Sequence, residues 1–175
     1  MQSQSGLREP ARNDRLVVIG LGNEFLTDDG LGIHALHLLK EKLADEGRAE
    51  GIVFEELAIG GLGLLDYIVG YGRCIIIDAV LTGTAPAGTI RRFDLRPGSD
   101  PVTLSTSHQI DLAQVLALGK LFTDDIPREV TVFGAEVSDI HRFGLTPTAE
   151  VTRAIPELVE TIHQEIINYS PCETT

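Results

Sequence analysis

Basic residues are scarce in this chain: 14 Lys and Arg stand against 26 Asp and Glu, a formal net charge of −12. A surface of that sign repels nucleic acid and anionic membranes, so neither is an expected partner. Cysteine is scarcer still. Cys74 and Cys172 are the only two, and their spacing fits no zinc or redox motif. A disulfide framework is not expected, and a reducing cytoplasm is the expected location. No run approaches the ~18 apolar residues of a membrane span, so membrane insertion is not expected. Residues 1–14 lack the apolar core of a signal peptide. Internal repeats, low-complexity segments and a domain linker are also missing.

What is present suffices for one core. Hydrophobic residues make up 43% of 175, and one domain usually takes ~100–200 residues. The expected division is a flexible N-terminal tail over 1–14, a single α/β domain over 15–168 and a flexible C-terminal tail over 169–175. Apolar runs predict strands over 15–20, 52–57, 73–80, 89–95 and 129–136. Helical spacing predicts helices over about 29–46, 61–69, 109–122 and 148–168. In the first of these, Leu31, His34, Ala35, Leu38, Leu39 and Leu43 share a face. The unbroken apolar run before Asp78 reads as a strand buried on both sides, whereas 89–95 alternates as an edge strand would. Pro156 predicts a kink or a late start in the last helix. Strands alternating with helices imply a mostly parallel sheet covered on both faces, a three-layer α/β fold.

Ligands of such sheets bind at the carboxyl ends of the strands. Three residues stand at that edge: Asp29 after the first strand, Asp78 ending the third, and His108 just before the third long helix. Two carboxylates and an imidazole suit divalent nickel, zinc, manganese or iron. Three protein ligands with open positions suit a site that engages a substrate. Each residue also has a plain structural reading. Asp28 or Asp29 could cap a helix or occupy its first turn, worth ~0.3–1 kcal/mol. Asp78 could solvate a strand end, and His108 could be a bystander beside an N-capping Ser107. Glu136, near the same edge, either lines the cleft or solvates its strand terminus. His34, on an apolar face, reads as a satisfied core histidine.

Rival motifs are incomplete. Gly20 and Gly22 begin a dinucleotide fingerprint, but Phe25 occupies its third glycine position. Glu56 follows Gly22 by 34 residues, where the ribose-binding acid is expected after ~20. Aspartates at a helix N-terminus would oppose a pyrophosphate. Neither a Gly-Lys-Ser/Thr loop nor a G-x-S-x-G elbow occurs.

The ordered set GLGNEFLTDDGLG, IIIDAV with PAGT after it, STSHQ before a helix, VTVFGAE and GLTPT resembles the nickel–iron hydrogenase maturation proteases over roughly residues 16–163. The resemblance implies a twisted, mostly parallel five-stranded sheet between helices. It implies an endopeptidase that removes a C-terminal extension from the hydrogenase large-subunit precursor once nickel is inserted. Nickel would then be carried by the substrate and not held permanently. The family's metal-contacting positions map onto Asp29, Asp78 and His108, with Asp29 and Asp78 as the catalytic carboxylates, and a monomer is expected. Metallo- and aspartic-type chemistry both remain open. The pattern departs at EELAIGGLG, where Glu56 stands nearest a family aspartate. A metal-centre binding module without turnover and a nucleotide-binding α/β enzyme are the alternatives.

Overall fold

The computed structural model describes residues 15–58, 60–95 and 112–169. One sheet contains β1 (Leu16–Leu21), β2 (Ile52–Leu57), β3 (Arg73–Val80), β4 (Ile90–Leu95) and β5 (Glu129–Glu136), in the order β2-β1-β3-β5-β4. β4 is antiparallel to β5 at one edge, and the other pairings are parallel. The helices are α1 (Leu31–Asp45), α2 (Leu65–Ile68), α3 (Leu112–Phe122) and α4 (Ala149–Ile167).

Strand periodicity divides the core into two layers. Val18, Ile75, Ile77, Phe133 and Ala135 face α1 and α4. Val17, Ile19, Cys74, Ile76 and Val132 face the opposite side, with α2 and α3 residues such as Ile68 and Leu116. Successive strand residues point to opposite faces, so a strand covered on both sides must be apolar throughout. β3 is buried at every position and apolar except at Arg73 and Asp78. The result is the three-layer α/β architecture anticipated from the sequence.

Three details differ from expectation. Leu38 is exposed, and Leu36 takes its place in the buried face of α1. The segment 27–30 is a separate 3₁₀ turn, so α1 begins at Leu31 and Asp29 precedes it. Finally, α4 does not start late: it runs from Ala149 through Pro156. Pro156 cannot donate to the Thr152 carbonyl, but both residues are exposed, so water can serve that carbonyl.

Candidate functional site

The chain passes from β1 outward to β2, then returns across β1 to form β3. Connections leaving β1 and β3 therefore diverge, and a crevice opens between them at the carboxyl edge. Asp29 lies in the connection after β1, and Asp78 lies near the end of β3.

Close packing of glycines seats the β1 loop on this edge. A Cβ on Gly32 would lie 2.2 Å from the Leu21 carbonyl oxygen and 2.3 Å from that of Ile77. The start of α1 thus rests on the ends of β1 and β3, next to Asp78. A Cβ on Gly22 would lie 2.2 Å from the Asp29 carbonyl oxygen. Within the loop, the Phe25 amide donates to Asn23 Oδ1 at 3.0 Å. The Leu26 amide donates to the Asn23 carbonyl, and the Asp29 and Gly30 amides both donate to the Leu26 carbonyl.

The two adjacent aspartates have different surroundings. Asp28 is fully buried. Its Oδ1 accepts from the Thr148 amide at 2.7 Å, and its Oδ2 accepts from the Thr148 hydroxyl at 3.1 Å. Asp28 therefore joins the β1 loop to the N-terminus of α4. Asp29 is 5% exposed and makes no side-chain hydrogen bond to a described residue. Neither acid belongs to the first turn of α1, whose N-cap is Gly30.

Asp78 is 1% exposed, its Oδ1 accepts from the Ala79 amide at 2.8 Å, and it engages a further partner. It alternates in phase with Cys74 and Ile76, so its side chain belongs to the α2 and α3 side of the sheet. His108, ahead of α3 in sequence, lies outside the described residues. Among the described residues no three His, Cys, Asp or Glu side chains group as a metal site.

Glu136 neither lines the cleft as a free acid nor simply solvates a strand end. Its side chain is buried, and Oε1 accepts from the Thr82 amide, the Thr82 hydroxyl and the Gly83 amide at 2.6–2.7 Å. Arg91 Nε lies 3.5 Å from Oε2. Burial pushes the carboxyl up, but the Thr82 and Gly83 donors and the Arg91 charge outweigh it, leaving Glu136 below the usual carboxylate range. It anchors the loop that leaves β3 just beyond Asp78.

The histidines settle as follows. His34 is half-buried, and its buried Nε2 has no hydrogen-bond partner among the described residues, which differs from the satisfied core histidine expected. That nitrogen faces Gly30: a Cβ there would lie 3.3 Å from it. His37 pairs with Glu56 at 2.8 Å on the surface. His163 Nε2 lies 2.7 Å from Glu46 Oε2, beside α1.

Comparison with known proteins agrees with this architecture. The HycI hydrogenase maturation protease family model matches residues 33–165. Hydrogenase 2 maturation protease of Escherichia coli (strain K12) is 26% identical over 165 residues, covering 91% of this chain and 97% of its own. The coenzyme F420 hydrogenase subunit delta of Methanothermobacter thermautotrophicus is 27% identical, covering 86% of this chain and 94% of its own. Among solved structures, the hydrogenase maturating endopeptidase HybD from E. coli superposes with a TM-score of 0.70 at 21% identity, covering 88% of this chain and 94% of that one. The [NiFe] hydrogenase maturation protease HybD from Thermococcus kodakarensis gives 0.64 at 24%, covering 86% and 98%. At those identities the structural likeness speaks for the fold.

Proposed function

The chain belongs to the hydrogenase maturation protease family, and we propose that it is the endopeptidase that removes the C-terminal extension of a nickel-loaded hydrogenase large-subunit precursor. The observation that carries the site is the placement of two deeply buried carboxylates at the carboxyl edge of the sheet: Asp29 in the connection after β1 and Asp78 near the end of β3. Carboxylates withdrawn from water call for donors or a cation. In this reading the cation is the substrate's own nickel, held by Asp29, Asp78 and His108 when the precursor docks.

Such a metal would position the extension and polarise its scissile carbonyl or an attacking water. In the alternative, aspartic-type chemistry, Asp29 or Asp78 would take the proton from the water as general base. In the same reading the precursor meets the protein in the cytoplasm, as a monomer. Separately, none of the described helices is long and apolar enough to cross a membrane.

The test is to incubate the protein with nickel-loaded and nickel-free precursor and weigh both products. Loss of the extension from the loaded form alone, abolished by Asp78→Ala and by His108→Ala, is expected. A precursor that binds yet stays intact would instead identify a metal-centre binding module.

A further inference from the structure

The β1 loop does not stand alone at the crevice. Leu26 forms an isolated antiparallel bridge with Phe143, and the Gly144 amide donates to the Phe25 carbonyl at 3.0 Å. The Thr27 hydroxyl donates to the Arg142 carbonyl at 3.2 Å, and Asp28 holds Thr148 as described. Each half also has its own turn lock. Asn23 caps the Phe25 amide, and Asp139 Oδ1 accepts from the His141 and Arg142 amides at 2.8 and 3.2 Å. A Cβ on Gly144 would come within 2.8 Å of the Thr27 methyl carbon, so the two strands of the ribbon approach closely there.

This laced ribbon carries apolar side chains into solvent. Phe25 is 67% exposed, Phe143 84% and Leu145 68%. Together they present roughly 400 Å² of apolar surface, a size at which patches on monomers are often functional. A stable interface needs about 800 Å² from each partner, so the ribbon is too small to hold a second copy by itself, whereas a precursor would be held at the crevice as well. The ribbon is continuous with the loop bearing Asp29, only four positions beyond Phe25. It therefore adjoins the segment that leads to the proposed site.

We propose that the Phe25–Phe143–Leu145 ribbon docks an apolar surface of the substrate protein beside its scissile segment. This rests on the protease reading above and adds where the folded body of the precursor is gripped. The internal hydrogen bonds order the ribbon before binding, so little conformational freedom is lost on docking. Aromatic side chains on such a rigid support have the character of binding hot spots. The ribbon sets substrate affinity and takes no part in the bond-breaking step.

The experiment compares wild type, Phe25→Ser/Phe143→Ser and a control, Leu121→Ser/Phe122→Ser. The control removes an equally exposed apolar pair from the C-terminal end of α3. Initial rates are measured against nickel-loaded precursor concentration, with melting temperature and sedimentation recorded for each protein. The ribbon variant should raise KM about tenfold or more, leave kcat within about twofold and melt as wild type does. The control should match wild type. An unchanged KM in the ribbon variant, with wild type cutting normally, overturns the docking assignment and leaves the protease reading standing. A wild-type dimer that the ribbon variant loses also overturns it, since the occupant is then a second copy. Precursor left uncut by wild type overturns the protease reading, and the docking assignment with it.

Discussion

Replacing Asp28 with alanine should cost stability out of proportion to the size of the change. The fully buried carboxylate accepts both the Thr148 amide and the Thr148 hydroxyl. Hydrogen bonds to a charged group contribute ~1.5–3 kcal/mol each, and a part-buried donor left unpaired costs ~1–3 kcal/mol more. These contributions overlap, so the net loss for Asp28→Ala is about 3–4 kcal/mol. In a domain of this size that corresponds to roughly 10 °C in melting temperature. Asp28→Asn keeps an acceptor for the amide, and the Thr148 hydroxyl can turn to accept from the new NH₂, so about 1 kcal/mol is expected. Thr148→Val removes the hydroxyl alone and should also cost about 1 kcal/mol. Because the residues share bonds, the Asp28→Ala/Thr148→Val double variant should lose less than the two singles summed. Urea unfolding of the four variants measures all of this. A loss below ~0.5 kcal/mol for Asp28→Ala, or strict additivity in the cycle, would refute the tether. Asp29→Asn gives the contrast: it should abolish precursor cleavage while leaving stability unchanged or slightly higher, because it neutralises a buried carboxylate that has no side-chain hydrogen bond among the described residues.

Three further outcomes follow from the same geometry. Glu136 titrates below its ordinary range, so it stabilises the fold fully above the unfolded value of about 4.3 and loses that contribution as pH falls through the lower folded value. The stability gap between wild type and Glu136→Gln should therefore shrink in acid, and a gap that holds constant from pH 7 to pH 3 would contradict the assignment. Gly32→Ala drives a methyl group into the Leu21 and Ile77 carbonyls; a loss of at least ~1–3 kcal/mol, read by thermal melting, is expected. Burial holds the Cys74 thiol above its ordinary range. Peptide mapping after iodoacetamide at pH 8 should find Cys74 unmodified in native protein and alkylated in urea, and native labelling would count against its burial.

The sheet was legible because buried strands leave a strong signature. Residues 52–57, 73–80 and 129–136 are apolar or alternating runs between glycines and charges, and the observed strands have the same bounds. Edge placement of β4 could be read from its alternation. The start of α1 could not, because a 3₁₀ turn and an α-helical turn share a residue pattern across 27–31. Leu38 and Leu36 both fit an apolar face at low resolution, and only the packing of α1 against β1 and α4 selects one. That Asp29 follows β1 and Asp78 lies near the end of β3 could be read from a topological rule that needs no side-chain geometry. Asp28 was seen only as a local cap, because its partner Thr148 lies 120 positions away and no local pattern encodes such a contact. Glu136 was ambiguous for the same reason: its donors sit on a loop 53–54 positions earlier.

The same loop also shows why a glycine-rich turn after the first strand does not make this a phosphate site. Phosphate loops work by leaving backbone amides free to converge on an anion. Here the amides of Phe25, Leu26, Asp29 and Gly30 are already committed to Asn23 and Leu26 oxygens. Gly22 is likewise spent, its amide donating to the Leu57 carbonyl at 3.0 Å. What the turn carries at this edge is therefore an acceptor, the Asp29 carboxylate, and Asp78 adds a second near the end of β3. Gly22 and Gly32 permit close approach of backbone to backbone, in place of backbone to pyrophosphate. ATP and NAD should then leave the melting temperature of the protein unchanged at millimolar concentration, whereas Ni²⁺ or Zn²⁺ should raise it. Asp29→Asn should remove the metal-induced shift and Asp28→Asn should retain it. A nucleotide-induced shift with no metal response would put an anion in the crevice and reverse the argument.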